Sequence, residues 1–519
     1  MHGNITRLMA LAPALLALVC GCASLPTNVA REPSTAFADT GDTRLGRAIA
    51  DRAAANPGKT GIHALPDGRD AFAARVLLAQ AADRSLDLQY YIWHEDTTGR
   101  LLFEAIWQAA ERGVRVRMLL DDANTRGLDG AIAALDAHPN IEVRLFNPFA
   151  NRGFRLGDAI TDFSRVNRRM HNKSFIVDSQ VAIVGGRNIG DEYFDAGSPV
   201  GFADLDVLAI GPIVREVAEG FDRYWNSESA YPAASLIAPA APDTLVGLRD
   251  AWERSRQAPK TSGYLEALRE TELVRQLLEG RLQFEWAGAQ LVSDDPGKVL
   301  QALDRRELHM LPYLESALGR PLRELDLVSP YFVPGSEGTK AFLALAERGV
   351  QVRVLTNALA ATDVSLVHAG YSRYREELLR GGARLYELKP GADMRRHKRE
   401  NGHRGVGSSS SSLHAKTFSV DRTRIFVGSF NLDPRSARLN TEMGVVLDSP
   451  LLAKRLSEWF DMVVPDSAYE VRLAAGGKGL EWRERTGAGE VVHTSEPQTG
   501  PLKRLWIDFL SILPIEWLL

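Results

Sequence analysis

The spacing of apolar positions follows the same order in two parts of the chain. The segment LDLQYYIWHEDTTGRLLFEAIWQAAERGVRVRMLLDD begins at Leu86, and LDLVSPYFVPGSEGTKAFLALAERGVQVRVLTN begins at Leu325. Each contains a short apolar run, a loop, a stretch with apolar residues at helical spacing, the letters E-R-G-V and a second run rich in β-branched residues. This order predicts a strand, a helix and another strand in both segments.

The repeated unit predicts a duplicated α/β fold. Strands that alternate with helices form sheets covered on both faces, with right-handed connections. We therefore expect two pseudo-symmetric halves, each a mixed sheet flanked by helices, at residues 46 to 232 and 321 to 470. Residues 233 to 320 are Pro-rich and then charged, which predicts a linker with accessory helices, and residues 471 to 519 are a C-terminal extension.

The N-terminal segment has the regions of an export signal. Arg7 precedes an apolar run at residues 8 to 19, which is too short to span a bilayer, and small residues surround Cys22. The letters V-C-G-C resemble a bacterial lipobox. This resemblance implies that residues 1 to 21 are removed, that Cys22 is lipidated and that residues 22 to 45 are a polar tether. The alternatives are an ordinary secretory signal and an uncleaved anchor, and each of them also exports the protein.

The expected location is the bacterial envelope. A lipidated Cys22 would anchor the mature chain in a membrane, with its body facing the periplasm. The following residue, Ala23, is not the acidic residue that favours inner-membrane retention, so the outer membrane is preferred.

Composition narrows the chemistry available to the two halves. The 519 residues are 45% hydrophobic and 25% charged, which is typical of a globular protein with a large core. The chain has 62 lysines and arginines against 66 aspartates and glutamates, and this balance disfavours nucleic acid as a partner. Both cysteines, Cys20 and Cys22, lie near the N-terminus. The remaining chain therefore has no cysteine nucleophile, no disulfide framework and no cysteine zinc site.

One short motif occurs once in each predicted half. HNKSFIVD begins at His171 and HAKTFSVD begins at His414, and both have the spacing H-x-K-x4-D. The register continues beyond the motif, because Asn188 and Asn431 each lie seventeen residues after their histidine. A single match would be a weak signal, but two matches in register within a repeated fold indicate a functional site.

Residue types within the motif have separate expected roles. Residues two apart on a strand point to the same face, so Lys173 and Lys416 each share a face with the histidine of their own motif. The motif acids, Asp178 and Asp421, stand where a strand ends and a turn begins. We expect these two carboxylates to bond to the turn backbone and to be structural.

Two imidazoles and two ammonium groups that converge would suit a phosphodiester. Imidazole is a nucleophile or proton carrier near neutral pH, and lysine supplies a fixed positive charge. The lysines, with Asn188 and Asn431, would hold phosphoryl oxygens as negative charge grows. Since these donors can replace a metal ion, the sequence predicts no metal and no cofactor. Gly186 and Ser429 would let the backbone approach the phosphate, and Ser429 can donate a hydroxyl hydrogen bond.

The paired motif, with G-G-R-N at 185 to 188 and G-S-F-N at 428 to 431, resembles the phospholipase D superfamily. The letters Y-Y-I-W-H-E-D-T-T-G-R are similar to its bacterial cardiolipin synthase branch. The resemblance implies two steps, in which a histidine attacks phosphorus and expels an alcohol, and an incoming alcohol or water then resolves the phosphohistidine. It implies His171 as the nucleophile and His414 as the acid and base, although the near-symmetry of the copies leaves the reverse assignment open.

The same resemblance implies a carboxylate on the following strand that orients each histidine through its second ring nitrogen. Glu442, in N-T-E-M-G-V-V-L, has this position in the second copy. Asp204 is its counterpart in the first copy, with Asp206 as a poorer rival. The expectation is one carboxylate for the histidine of each copy.

The leading functional hypothesis is phosphatidyl transfer between phospholipids, with phosphatidylglycerol as the acceptor and cardiolipin as the product. Water as the acceptor would give phospholipase D hydrolysis to phosphatidic acid, and the ratio of acceptors stays open. The alternatives from other classes are an exported phosphodiesterase or nuclease and a noncatalytic envelope-binding protein. The charge balance disfavours a nuclease, and two intact motifs disfavour a noncatalytic protein. Whether the reaction needs a protein partner stays open at this point.

The C-terminal stretch, PLKRLWIDFLSILPIEWLL, favours a lipid partner. Lys503 and Arg504 border large apolar residues such as Trp506, while Pro514 argues against a membrane span. An amphipathic segment in the membrane interface fits this pattern. The alternative is a final helix that packs on the core.

Overall fold

The computed structural model describes residues 24–198, 201–392, 411–477, 479–513 and 516–519. Within these ranges the chain forms one extended mixed sheet with helices packed against it, and a separate pair of short strands. The predicted export segment and Cys22, the predicted site of lipidation, lie outside the described residues.

The elements of the first half follow the predicted alternation of strand and helix. Its strands are β1 (Thr60–Leu65), β2 (Ser85–Ile92), β3 (Arg115–Asn124), β4 (Ile141–Phe146), β5 (Ser174–Val177), β6 (Val181–Gly185), β7 (Gly201–Ala203), β8 (Asp206–Ile210) and β9 (Ala230–Pro232). Its helices are α1 (Arg44–Ala54), α2 (Gly68–Ala81), α3 (Thr97–Glu111), α4 (Asp129–Asp136), α5 (Arg155–Thr161), α6 (Phe163–Val166) and α7 (Pro212–Trp225).

The rest of the chain repeats this alternation and adds elements at both ends. Its strands are β10 (Glu285–Ser293), β11 (Glu324–Val328), β12 (Gln351–Asn357), β13 (Arg384–Leu388), β14 (Ser411–Leu413), β15 (Thr417–Val420), β16 (Arg424–Gly428), β17 (Met443–Asp448), β18 (Ala468–Leu473), β19 (Leu480–Thr486) and β20 (Gly489–His493). Its helices are α8 (Pro242–Gln257), α9 (Pro259–Arg269), α10 (Glu272–Leu278), α11 (Leu311–Leu318), α12 (Gly335–Glu347), α13 (Ser365–Ser372), α14 (Arg375–Arg380), α15 (Pro434–Arg438), α16 (Pro450–Met462), α17 (Val464–Ser467) and α18 (Pro501–Ile512).

The two halves share one strand order. In the first half it is β1-β8-β6-β5-β2-β3-β4-β9, with β2, β3 and β4 parallel. In the second half it is β10-β17-β16-β15-β11-β12-β13-β18, with β11, β12 and β13 parallel. The predicted α/β fold of two pseudo-symmetric halves is confirmed.

Strand pairing and packing both join the halves. Antiparallel pairing of β1 with β10 places Thr60 opposite Ala287 and links the two sheets. One buried cluster contains side chains of both sheets, including Ile176 and Val184 from the first and Val445 from the second, together with apolar residues of α7. Burial of this shared apolar surface fixes one half against the other.

The region between the halves differs from its prediction. Residues 233 to 320 contain accessory helices, as expected, but also β10, which is the counterpart of β1 and belongs to the second sheet. Its central residues, Ala287, Gly288 and Ala289, are small and have little strand preference, so the local pattern did not predict this strand. In the C-terminal extension, β19 and β20 widen the second sheet beyond β18.

The predicted tether is partly docked on the first half. The Arg31 side chain donates to the Ala230 carbonyl at 3.0 Å and lies 4.4 Å from the centre of the Tyr231 ring. The backbone N–H of Ala36 donates to Asp222 at 2.9 Å. The prediction of a tether throughout residues 22 to 45 is therefore wrong, because one arginine and its neighbours bind the end of α7 and β9.

The C-terminal stretch packs on the core along one side only. One side of α18 packs on the body through Ile507, which is 3% exposed, and through Leu510. The opposite side leaves Leu502 and Trp506 exposed. Among the described residues, no helix has both the length and the apolar character needed to cross a membrane.

The two motif acids are structural, as predicted, but they bind a different loop. Asp178 accepts hydrogen bonds from the N–H groups of Arg84 and Ser85 at 2.7 and 2.8 Å, where β2 begins. Asp421 accepts from Arg323 and two neighbouring N–H groups at the start of β11. Each carboxylate thus joins the motif hairpin to the adjacent strand rather than bonding to its own turn.

Removing this carboxylate should affect stability and leave chemistry intact. We expect Asp178→Ala to lower the free energy of unfolding by about 3 kcal/mol, because it leaves buried N–H groups unpaired. Asp178→Asn should cost less, since the amide keeps an acceptor and tolerates the positive φ of 51° at this position. Denaturant unfolding measures both effects, and a loss of turnover with unchanged unfolding would show that Asp178 is not a structural residue.

Candidate active site

The residue before each histidine is held by the end of a parallel strand. Asp121 of β3 accepts from the N–H of Met170 at 2.7 Å. Asn357 of β12 accepts from the N–H of Leu413 at 2.9 Å and donates to its carbonyl at 3.0 Å. The carboxyl ends of parallel strands are where α/β folds collect functional groups, and the two histidines follow directly.

Each histidine is then bonded to the opposite half. The N–H of His171 donates to the Thr441 carbonyl at 2.8 Å, and the N–H of His414 donates to the Ala203 carbonyl at 2.8 Å. The parallel pairing of β7 with β14 extends the second contact. The two motif segments therefore meet at the interface between the halves, where the active site was predicted.

The orienting carboxylates are also exchanged between the halves. The Nδ1 atom of His171 lies 2.8 Å from Glu442 Oε2, and Nδ1 of His414 lies 2.6 Å from Asp204 Oδ2. Both predicted carboxylates are thus present, but the expectation that each serves the histidine of its own copy is wrong. The reason lies in the backbone, because Thr441 and Ala203, which bind the opposite histidine segments, immediately precede Glu442 and Asp204. Each half supplies a histidine to one pair and a carboxylate to the other.

Both lysines lie beside their own histidines. The Nζ atom of Lys173 donates to the His171 carbonyl, and Nζ of Lys416 donates to the His414 carbonyl. Lys416 Nζ also lies 3.0 Å from Nδ1 of the His414 ring. The Tyr91 ring packs against the His171 ring, with the two ring centres 5.1 Å apart. Both motif pairs are buried, so the ammonium groups act at low dielectric.

Three of the residues expected to surround the phosphate support other side chains instead. Asn188 accepts from the Ile92 N–H at 3.1 Å and donates to the Tyr193 hydroxyl at 2.9 Å, and the Tyr193 ring packs on the His414 ring. The Ser429 hydroxyl donates to Glu442 Oε2 at 2.5 Å.

Gly186 leaves space for Asp204, since a Cβ atom there would lie 2.2 Å from its Oδ1. The predicted direct contacts of Asn188, Ser429 and Gly186 with phosphate are therefore replaced by roles in positioning the two histidine pairs. Asn431 differs from Asn188, because its buried amide oxygen has no partner among the described residues. Its amide remains available to a substrate.

Burial and charge set the protonation of the site. Burial lowers the pKa of His171 to about 4; Glu442 opposes this shift, and Lys173 and Lys416 reinforce it. Burial, followed by Lys416, likewise lowers the pKa of His414. Because Lys416 acts on His171, charges from one half control groups of the other. Both shifts favour the neutral imidazole in the free protein.

The carboxylates and lysines shift in the direction that burial and pairing dictate. Burial alone would raise the pKa of Asp204 and of Glu442. The paired imidazole and a nearby lysine, Lys416 for Asp204 and Lys173 for Glu442, together outweigh burial and hold both pKa values below their usual range. Burial lowers the pKa of Lys416 to about 8 and that of Lys173 well below its usual range. An anionic phosphodiester in the site would raise the pKa of all four nitrogen groups.

These shifts predict the pH dependence of the reaction. We expect kcat/KM to fall below about pH 4, where His171 becomes protonated and loses its nucleophilic lone pair. It should also fall in two stages at higher pH, first where His414 loses the proton that the leaving alcohol needs, and then above about pH 8, where Lys416 loses its charge. Lys416→Arg should move the second stage, the alkaline limb, upward, because arginine stays protonated. An acid limb at the ordinary histidine value of 6.5, or an alkaline limb unmoved by Lys416→Arg, would contradict this account.

Sequence reasoning missed several residues that position the site. Asp121 and Asn357 were detectable, since they close the β-branched runs of the two repeated units. Ser436, which donates to Glu442 Oε1 at 2.8 Å, and Asp294, which accepts from the Glu442 N–H at 2.7 Å, had no signal. Their partners are set by tertiary packing.

Outside this site, the part of the chain that the structure describes contains two clusters with residue types that could bind a metal. In the buried cluster of His368, Glu387 and Glu496, the Arg375 guanidinium lies 3.0 and 2.7 Å from the two carboxylates and neutralises them. In the other, Asp96 bonds through both oxygens to backbone N–H groups, including the N-terminus of α3. Neither cluster contains a residue of the H-x-K motifs.

Known proteins resemble this chain along most of its length. Residues 76–225 and 314–464 match the family described as "Cardiolipin synthase, PLD-like domain". The chain is 46% identical over 479 residues to Cardiolipin synthase C of Escherichia coli, and this match covers 92% of this chain and 100% of that protein. It is 25% identical to Major cardiolipin synthase ClsA of Bacillus subtilis, over 77% of this chain and 68% of that protein.

A solved structure shares the overall fold. The crystal structure of phosphatidylserine synthase from Haemophilus influenzae superimposes with a TM-score of 0.56. The match covers 92% of this chain and all of that chain, at 12% identity.

Proposed function

Because this chain belongs to the family of phospholipase D-like cardiolipin synthases, we propose that it transfers a phosphatidyl group to the headgroup alcohol of phosphatidylglycerol and so makes cardiolipin. The observation that carries the proposal is the pair of exchanged histidine–carboxylate contacts, flanked by two lysines in one buried site. This arrangement has a nucleophile, a proton carrier and fixed positive charge, which phosphodiester exchange requires.

In the first step His171 attacks phosphorus of the donor phospholipid. The Nε2 atom forms the new N–P bond, and the bond from phosphorus to the headgroup oxygen breaks. His414 takes up a proton from water when the anionic donor binds and raises its pKa, and it gives this proton to the departing alcohol. Glu442 stabilises the positive charge that develops on His171. Lys173 and Lys416 stabilise the growing charge on the phosphoryl oxygens.

In the second step an acceptor alcohol replaces the histidine. His414, now neutral, removes the proton from the hydroxyl of phosphatidylglycerol, whose oxygen attacks phosphorus. The N–P bond breaks and returns the electron pair to His171. Water in place of the alcohol would give phosphatidic acid by the same route.

The hydrogen bonds of the carboxylates support this division of roles. Glu442 bonds to the hydroxyl groups of Ser429 and Ser436 as well as to His171. Asp204, by contrast, bonds to His414 and to the backbone N–H of Leu205. A carboxylate with fewer donors stabilises an imidazolium better. His414 is thus better suited to hold a proton, and His171 to stay neutral and attack.

Product analysis tests the proposed reaction. Purified protein is incubated with phosphatidylglycerol, alone and with phosphatidylethanolamine, and the lipids are separated by mass. Cardiolipin in either mixture is the expected product, and the His171→Asn protein is the control for contaminating activity. Phosphatidic acid without cardiolipin would contradict transfer and indicate hydrolysis.

We also propose that Cys22 is lipidated and holds the protein in the bacterial envelope, facing the periplasm and preferentially at the outer membrane. The support is the signal-like sequence before it and the phospholipid substrates of the proposed reaction. Labelling with a radioactive fatty acid should mark the unsubstituted protein. Cys22→Ala should lose the label and Cys20→Ala should keep it, because Cys22 would remain after cleavage and Cys20 would be removed with the signal. Equal labelling of both variants would overturn this assignment.

A further inference from the structure

The segment that leads into His171 exposes a cluster of large apolar side chains. It includes α5 and α6, and its polar neighbours are held by the body of the first half. Clusters of this kind on a protein surface mark interaction sites more often than single exposed apolar residues do. We call this cluster the first rim patch; its members are Phe154 (46% exposed), Leu156 (64%), Ile160 (74%) and Phe163 (42%).

The second half carries a similar cluster on the outer side of α18. Trp506 and Phe509 stack with ring centres 5.6 Å apart, so the helix presents a continuous aromatic and aliphatic surface. The inner side of α18 is occupied by its contacts with the body. We call the outer cluster the second rim patch; its members are Leu502 (82% exposed), Leu505 (66%), Trp506 (54%), Phe509 (51%) and Ile512 (77%).

The first rim patch is fixed beside the first histidine. Arg155, at the start of α5, donates to the carbonyl of Asp122 at 2.9 Å. The preceding residue is Asp121, which holds the backbone next to His171. The patch therefore lies at the carboxyl end of β3, at the sheet edge that carries the active site.

The second rim patch has the equivalent place in the second half. Lys503 donates to the carbonyl of Leu359 at 2.8 Å. Ile507 belongs to the same small apolar cluster as Leu359, and Leu510 packs against that cluster. Leu359 follows β12, two residues after Asn357, which holds the backbone next to the second histidine. The two patches thus flank one edge of the molecule, one beside each histidine.

We propose that the two rim patches together seat this edge on a phospholipid bilayer, so that the active site opens onto the lipid surface from which it takes its substrates. The inference rests on the proposed function. A diacyl lipid that left the bilayer completely would expose both acyl chains to water, so its headgroup must be reached while the chains stay in the membrane. Aromatic and aliphatic side chains on both sides of the site give the contact that this requires.

Charged substitutions test the seat against matched controls. Ile160→Glu and Leu502→Glu place a charge in each patch. Leu322→Glu is the control for the first, since Leu322 is also 74% exposed but precedes β11 at the opposite sheet edge. Leu278→Glu, at the end of α10 and 83% exposed, is the control for the second. Cardiolipin formation is measured in vesicles of phosphatidylglycerol and phosphatidylethanolamine, and with the same lipids dispersed in detergent micelles.

We expect each patch variant to lower the ratio of vesicle to micelle turnover by about tenfold, and each control to leave the ratio unchanged. An equal ratio in patch and control variants would contradict the proposed contact with the bilayer. If the unsubstituted chain makes no cardiolipin in either dispersion, the proposed function fails, and a second measurement still tests the bilayer contact.

That measurement reads the depth of nitroxide labels on Ile160→Cys, Leu505→Cys and Leu322→Cys in the full chain, with the signal of the unsubstituted chain subtracted. The first two labels should become accessible to oxygen and protected from a water-soluble nickel complex when vesicles are added, and the third should stay in water. Labels at 160 and 505 that stay in water would contradict bilayer contact. Protection without vesicles would instead show that the patches bind a second copy of the chain.

Discussion

Replacing His171 or His414 by asparagine is expected to lower phosphatidyl transfer by about 10⁴-fold or more, because each acts on the same phosphorus and neither step proceeds without both. For the same reason the double variant should be no slower than the single ones. Steady-state rates of cardiolipin formation measure the effect, and unfolding curves show whether each variant keeps its fold. A single variant with about half of the original activity would mean that each half has its own site.

Glu442→Gln is expected to lower the rate by about 10²- to 10⁴-fold, because an amide cannot stabilise the positive charge on His171 as its ring attacks. Asp204→Asn should also lower the rate, but through His414 and the proton given to the leaving alcohol. A donor lipid with a p-nitrophenol headgroup needs no such proton. It should therefore restore much of the rate of the first step, measured as the burst of p-nitrophenol, in Asp204→Asn and little of it in Glu442→Gln.

This comparison tests the exchange of carboxylates between the halves. If each carboxylate served its own copy, the p-nitrophenol donor would rescue Glu442→Gln and not Asp204→Asn. A general loss of structure would lower both activities without any dependence on the leaving group. The pattern of rescue therefore separates the exchanged arrangement from a within-half arrangement and from simple destabilisation.

Much of the fold was predictable because the repeated pattern is local. The β-branched runs, the helix between them and the H-x-K-x4-D spacing recur in register, and each part reports on residues close in sequence. Both histidines and both lysines were identified from this repeat, whereas the two orienting carboxylates were implied by the resemblance to the phospholipase D superfamily. The sequence also predicted that these residues meet at the interface between the halves, because one phosphodiester site needs the motif residues of both copies.

The exchange of partners could not be predicted, since it depends on contacts distant in sequence. His171 and Glu442 are 271 residues apart, and the backbone bond from His171 to Thr441 decides which carboxylate the ring meets. Asn188 and Ser429 had the residue types of phosphate ligands. Their polar atoms instead satisfy Tyr193 and Glu442, because buried groups in a packed site take the nearest partner.

The most direct test of a single shared site is to trap the covalent intermediate. The His414→Asn protein is incubated with the p-nitrophenol donor. This variant can form the intermediate, because p-nitrophenol leaves without an acid, but it cannot resolve the intermediate, because the base is missing. Intact mass under neutral conditions should show one phosphatidyl group per chain, peptide mapping should place it on His171, and His171→Asn should carry none. Two groups per chain, or a label in both variants, would contradict a single site with His171 as its nucleophile.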